Sequence, residues 1–288
     1  MSAFTPVYLL RKGNAAHLAR RFLKSFFQFD DNEEVPLILL LKGFEPDEIP
    51  DELAKLPTAQ RARITLVYID DIGMDLTAYR ALCQQRTERH FLFFNSNSVI
   101  LNISWFEAFT KALSSTKGKG LIGASGSYEA QPTMGLGFPN PHIRTNGFLV
   151  AKEEYLQAAN GPLTTKNECH LLESGPDSLT QYFMKKGDPV LIVNADLQLF
   201  DVKDWPKSQT FRLSDQQKLL IADNRSEKYH AGMAKRRKLH ATASWGEEKD
   251  VLPISWAKTM KRILWDRLCA SGHRIPLIKR LIENRISR

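Results

Sequence analysis

The chain has 288 residues, 43% of them hydrophobic and 25% charged, which is ordinary usage for one large globular domain or two modest ones. Sixteen Gly and 14 Pro exclude a collagenous or low-complexity protein, and no apolar run approaches the roughly 18–20 residues of a membrane-spanning helix. The net charge of +8 is uneven: from residue 251 onward nine Lys and Arg face two Asp and Glu, and the first 250 residues are close to neutral. A near-neutral body without basic–aromatic interleaving argues against nucleic-acid binding. Cys83, Cys169 and Cys269 are too few and too scattered for a disulfide framework or a zinc site. No secretory signal is visible either, so a reducing, cytoplasmic setting is expected.

In chain order, residues 6–10 read as a strand and 15–29 as a helix with Leu18, Phe22, Leu23 and Phe26 along one side. Residues 37–41 are a continuous apolar run, as expected of a strand buried on both faces. A strand over 64–69 and a helix over 75–85 follow. Residues 91–94 form the next strand, which ends in Asn95-Ser96-Asn97-Ser98. Trp105, Phe106, Phe109, Ala112 and Leu113 fit a helix, and 120–124 a strand. Residues 125–147, rich in Gly, Pro, Ser and Asn, are too long for an ordinary connection and read as a functional loop. Beyond it come a strand over 148–150, helices over 152–159 and 178–186, and a strand over 190–193. Residues 201–250 read as polar and irregular, with the basic cluster Lys235-Arg236-Arg237-Lys238. Two amphipathic helices, 255–269 and 275–286, break at Ser271-Gly272. This alternation predicts an α/β fold, a mostly parallel sheet flanked by helices, with residues 1–250 as the main domain and 251–288 as a basic helical tail.

In such sheets ligands bind beyond the carboxyl ends of the strands. The residues found there are Arg11 and Lys12, Lys42 and Gly43, Asp70 to Asp75, and Asn95 to Ser98. Bases, acids and amides converging on one edge suit a phosphate-bearing, hydroxyl-rich ligand. The competing reading is that strand ends are polar because they meet solvent.

The succession Val7 to Leu10, Leu37 to Phe44, Asp71-x-Gly73-x-Asp75, Phe91 to Ser98 and Gly120 to Ser127 resembles bacterial glycosyltransferases of the GT-A fold. Gly123-Ala124-Ser125-Gly126-Ser127, Phe138-Pro139-Asn140-Pro141-His142-Ile143-Arg144-Thr145-Asn146 and Glu173-Ser174-Gly175 are similar to a group of polysaccharide-locus proteins. So are Trp205-Pro206-x-Ser208-x-Thr210-Phe211-Arg212 and Asp223-Asn224. The resemblance implies a Rossmann-like GT-A fold and transfer of a sugar from a nucleotide-sugar donor to a cell-envelope glycan or lipid-linked acceptor, in lipopolysaccharide, O-antigen or capsule assembly. It places Arg11, Lys42, Asp71, Gly73, Asp75 and Tyr79 in the donor region, with Asn95 and Asn97 near the ribose or phosphates. It makes Glu173 the base of an inverting displacement, with Asp177 as rival; one of these acids could instead cap the helix over 178–186. His142, Arg144 and Asn146 would line the acceptor side, unless that loop owes its composition to turn chemistry alone.

One departure matters. GT-A enzymes usually hold a divalent Mn or Mg with Asp-x-Asp, and here the matching string is Asn95-Ser96-Asn97. Neutral amides are poor anchors for a hard dication. Either catalysis needs no metal, with Arg11, Lys42 or Arg144 stabilising the leaving group, or Asp71 or Asp196 supplies a ligand, or the site binds sugar without transferring it. The remaining histidines show no ligand spacing, so no metal site is assigned. The alternative function is a non-catalytic sugar-binding or scaffolding protein of the same machinery. The tail combines Trp256, Trp265 and Ile275 with nine basic side chains, which suits an anionic membrane surface on the cytoplasmic side and equally suits packing on the body or on a second subunit.

Overall fold

The computed structural model describes residues 3–30 and 35–246. The chain runs through β1 (Thr5–Arg11), α1 (Ala16–Gln28), β2 (Leu37–Lys42), the short helices α2 (Asp51–Ala54) and α3 (Thr58–Arg61), β3 (Ile64–Ile69), α4 (Asp75–Gln85) and β4 (His90–Phe94). Then come β5 (Val99–Ile100), α5 (Trp105–Ser115), β6 (Leu121–Gly123), β7 (Gly126–Ser127), β8 (His142–Ile143), β9 (Phe148–Ala151), α6 (Lys152–Ala158), α7 (Lys166–Ser174) and α8 (Leu179–Lys186). The last described elements are β10 (Val190–Val193), β11 (Leu199–Asp201), β12 (Ile221–Ala222), α9 (Asn224–His230) and α10 (Ala234–Trp245).

Eight strands form one sheet in the order β11-β10-β6-β9-β4-β1-β2-β3. All neighbours pair in parallel except β9, antiparallel to β4 and β6, and β11, antiparallel to β10. This is the α/β sheet expected from the alternation, and helices cover both faces. In β1, Val7 and Leu9 face one core, and Tyr8 and Leu10 the other. The first core takes Leu76, Tyr79 and Leu82 of α4, Tyr155 of α6 and Phe183 of α8. The second takes Phe22 and Phe26 of α1 with Trp105 and Phe109 of α5, and Phe22 stacks on Tyr8 at 3.9 Å. Burial from both sides is why these strands carry unbroken apolar runs.

Three expectations need correction. Residues 166–174 form α7, closed at its start by a reciprocal cap between Thr165 and Glu168, so Glu173 lies inside a helix rather than before one. Residues 201–246 are not irregular: they hold a 3-10 segment, β12, α9 and α10, and the basic cluster lies on α10 with Arg237 buried. The segment 125–147 is not an open loop at its ends, where β7 and β8 pair and Ser125, Ser127, Asn140, His142, Arg144 and Asn146 are all buried. Both tail helices fall outside the described residues. Among those described, no helix is long and apolar enough to cross a membrane.

Candidate functional site

β1 is where the strand order turns back: β2 and β3 lie to one side of it and β4 to the other. Loops leaving β1 and β4 diverge there, and a crevice opens beyond their carboxyl ends. A cavity of about 210 Å³ occupies that position. It brings together Arg11, Lys42, Gly73, Asp75, Asn95 and Asn97, and adds Asn14, Met74 and Ser96, which the sequence reading missed. Two larger clefts of about 490 Å³ lie elsewhere, one between α1 and α2, the other beside α7. Both are mainly apolar, and neither gathers a comparable set of bases, acids and amides.

The cavity's charge is set by three side chains. Arg11 Nε and Nη2 each donate to Asp71 at 2.9 Å, and buried Lys42 Nζ donates to Asp71 Oδ1 at 2.6 Å. Those hydrogen bonds, Arg11's first, hold the Asp71 carboxyl down to about 2, so it stays ionised at any physiological pH. Arg11 and Lys42 line the cavity while Asp71 stands behind them. The trio leaves one excess positive charge facing the space, as an anionic ligand requires.

Backbone geometry shapes the opposite wall. Gly73 has φ of +63°, and a Cβ there would strike the Thr77 side chain and the Leu163 carbonyl. Only glycine lets this turn pass so close to the cavity. Across from it, Asn95 Oδ1 accepts from the Asn97 backbone N–H at 3.0 Å and from Ser98 Oγ at 3.2 Å. Ser96 Oγ donates to Leu9 O at 2.9 Å, and Tyr8 donates to Ser96 O at 3.0 Å. The turn is thereby pinned to β1, and Asn95's carbonyl is used up within it.

Asp75 joins the cavity to Glu173. Burial, and then the Glu173 carboxylate, push the Asp75 carboxyl up to about 6. Glu173 accepts from Thr145 Oγ1 at 3.3 Å, and Thr145 also hydrogen-bonds Asp75. Tyr79 lies under this group rather than in the cavity. It is fully buried, stacked on Phe93 at 4.3 Å, and its hydroxyl has no partner among the described residues.

Asp177 sits apart. Its side chain is 86% exposed, bonds Lys185 at 2.6 Å and lines the cleft beside α7. Neither acid caps α8; Ser178 does. His142, Arg144 and Asn146 are buried and turned inward. His142 Nδ1 pairs with Asn140 O at 2.9 Å, and burial draws its pKa down. Arg144 pairs with Asp223 and lies 3.6 Å over the Phe211 ring. Asn146 donates to Ile221 O and accepts from Ser125 Oγ, both at 2.9 Å. None of the three lines the cavity.

A divalent metal does not fit this donor set. Asp71 is saturated by two cations, Asp75 is held toward its protonated form, and the remaining oxygens near the turn belong to neutral amides. Asp196 pairs with Lys218 at 2.8 Å and does not line the cavity. Among the described residues no three His, Cys, Asp or Glu are grouped to hold a metal.

No protein-family model matches the chain, and no curated protein does. Among solved structures it is similar to HddC from Yersinia pseudotuberculosis complexed with GMP-PN, at 13% identity over 53% of this chain and 78% of that one, TM-score 0.36. A protein from Bacillus anthracis assigned as a glucose-1-phosphate thymidylyltransferase, in complex with a sucrose, aligns at 10% identity over 65% and 85%, TM-score 0.39. The mannosyltransferase PcManGT from Pyrobaculum calidifontis, in complex with GDP-Man and Mn2+, aligns at 11% identity over 55% and 48%, TM-score 0.38. The α/β architecture stands on its own strand order: a doubly covered, mostly parallel sheet with a polar cavity at its switch point.

Proposed function

We propose that the protein is a glycosyltransferase that moves a sugar from a nucleotide-sugar donor to a cell-envelope glycan or lipid-linked acceptor. The observation that carries this reading is the cavity at the β1/β4 switch point, where Arg11 and Lys42 face the space and the Asp75–Glu173 pair closes one side. Arg11 and Lys42 take the donor diphosphate and stabilise the charge that builds on it as the sugar leaves. The amides of Asn95 and Asn97 take ribose or sugar hydroxyls. At about 210 Å³ the cavity is smaller than the roughly 300–1,000 Å³ of common ligand sites, so it seats the diphosphate and ribose while the rest lies along the open edge. Glu173 removes the acceptor hydroxyl proton in an inverting displacement.

The test is binding and hydrolysis of a panel of nucleotide sugars, with and without EDTA. At least one donor is expected to bind, with the same affinity in chelator. Failure of every donor at millimolar concentration overturns the reading. Loss in EDTA with rescue by manganese or magnesium shows that an acid outside this set completes a metal site. The second reading, a sugar-binding scaffold, is favoured by the carboxylate-free Asn95-Ser96-Asn97 turn, and predicts donor binding without hydrolysis or transfer.

Residues 251–288 would hold this domain to the cytoplasmic leaflet. α10 leads into that segment with Leu239 exposed beside Lys235, Arg236 and Lys238, and Met233 exposed just before it. Each basic group near an anionic surface contributes on the order of 1 kcal/mol. The full chain is therefore expected to co-sediment with anionic vesicles at low salt more than a chain ending at Asp250. Equal partitioning of the two, or indifference to anionic lipid, makes the tail a packing element.

A further inference from the structure

We propose that Thr145 is a positioning residue that joins Asp75 and Glu173 into one proton-sharing unit, with Asp75 storing the proton that Glu173 takes from the acceptor. The last clause rests on Glu173 being the base; the sharing of a proton does not.

A threonine hydroxyl has one proton and two lone pairs. Thr145 Oγ1 lies 3.3 Å from Glu173 Oε1 and hydrogen-bonds the Asp75 side chain as well. Between two ionised carboxylates it can donate to only one, and the other would face its lone pairs. A single added proton resolves the conflict. With the proton on Asp75, the Asp75 O–H donates to Thr145 and the Thr145 O–H donates to Glu173. With the proton on Glu173, the same chain runs in reverse. Carboxyls linked at this range titrate as a pair and not independently.

The surroundings favour Asp75 as the store. From α4, the buried Tyr79 hydroxyl has no partner among the described residues and lies within electrostatic reach of both acids. From α6, the Tyr155 hydroxyl is committed to Leu76 O at 2.8 Å. From β8, His142 faces Glu173 with its pKa drawn down by burial, and Arg144, which acts on His142, is committed to Asp223. In turnover, the acceptor hydroxyl gives its proton to Glu173. Glu173 passes a proton to Thr145 as Thr145 passes its own to Asp75. Glu173 ends as a carboxylate and Asp75 as an acid lining the donor cavity, where the proton leaves to the departing diphosphate or to solvent. No electron is exchanged.

The test is a pH titration of the ligand-free full chain by infrared difference spectroscopy, following the C=O stretch of protonated carboxyls. A component with a midpoint of about 6 is expected, and it disappears in Asp75→Asn. Glu173→Gln removes the neighbouring charge and moves the midpoint down. Thr145→Val removes a hydrogen bond to the ionised form and moves it up, and Thr145→Ser restores it. A midpoint in the ordinary range near 4, or one unmoved by Glu173→Gln and Thr145→Val alike, overturns the proposal. Should Thr145→Val not fold, the Glu173→Gln titration decides alone. No donor is present, so failure here leaves the nucleotide-sugar reading standing, and an empty donor panel leaves the shared proton standing.

Discussion

Glu173→Gln is expected to cut turnover by at least about a hundredfold and leave donor affinity unchanged, the usual signature of losing a general base. Glutamine keeps the shape of the side chain and an oxygen for Thr145 Oγ1 to donate to, but it cannot take up a proton. Glu173 does not line the donor cavity, so the charges that face the donor, Arg11 and Lys42, are unaltered. Asp177 cannot stand in, being bound to Lys185 on the separate cleft beside α7. Single-turnover kinetics at saturating donor checks the claim. An unchanged rate would move the role to Asp75 or remove it from the protein, and Asp177→Asn should leave the rate where it was.

Much of the sheet and its edge was legible because strand and helix signals coincided with burial. Residues 64–69, 75–85 and 190–193 match β3, α4 and β10 end to end, each an apolar run or a helical stripe bounded by polar residues. The rule that ligands sit beyond parallel strand ends then gathered Arg11, Lys42, Gly73, Asp75, Asn95 and Asn97, which the structure brings to one cavity. What it could not supply was direction. β9 runs antiparallel between β4 and β6, and nothing in a four-residue apolar strand says which way it points.

Other features were hidden because their burial is polar. α10 turns Arg237, Ala241, Ser244 and Trp245 inward, so its buried face has little hydrophobic periodicity. The 125–147 segment reads as a surface loop by composition, yet its polar groups are satisfied by one another, by β12 and by α9. α7 did leave a signal: Thr165-Lys166-Asn167-Glu168 is a capping-box string, and the structure uses it. Reading it would have put Glu173 in a helix from the start. Thr145 left no signal of its own, since its role depends on two acids far away in sequence.

The largest stability loss is expected at the Arg144–Asp223 pair. The two side chains are 7% and 5% exposed, and Arg144 also lies 3.6 Å over the Phe211 ring. Asp223 does a second job as the cap of α9, accepting from the backbone N–H of Arg225 at 3.1 Å and of Ser226 at 2.9 Å. Burial alone would raise its carboxyl, but the Arg144 charge and the Ser226 bonds outweigh it and hold the pKa below its usual value. The stability this contributes is present above the unfolded value near 4 and is lost as pH falls through the folded one. Arg144→Met leaves a buried carboxylate without its cation, and Asp223→Ala leaves a buried guanidinium and an uncapped helix. Each should cost about 3–5 kcal/mol in urea unfolding at neutral pH, and Asp223→Asn, which keeps the cap, should cost less than Asp223→Ala. Arg144→Met combined with Asp223→Asn should lose less than the two single losses together, because neither charge is then stranded. Additive losses, or a single loss below about 1 kcal/mol, would mean the pair is solvated and not buried. The consequence reaches the site, because Thr145 follows Arg144 in the chain. A shift there moves the hydroxyl that joins Asp75 to Glu173, so Arg144→Met is expected to disturb the Asp75 titration without touching either acid.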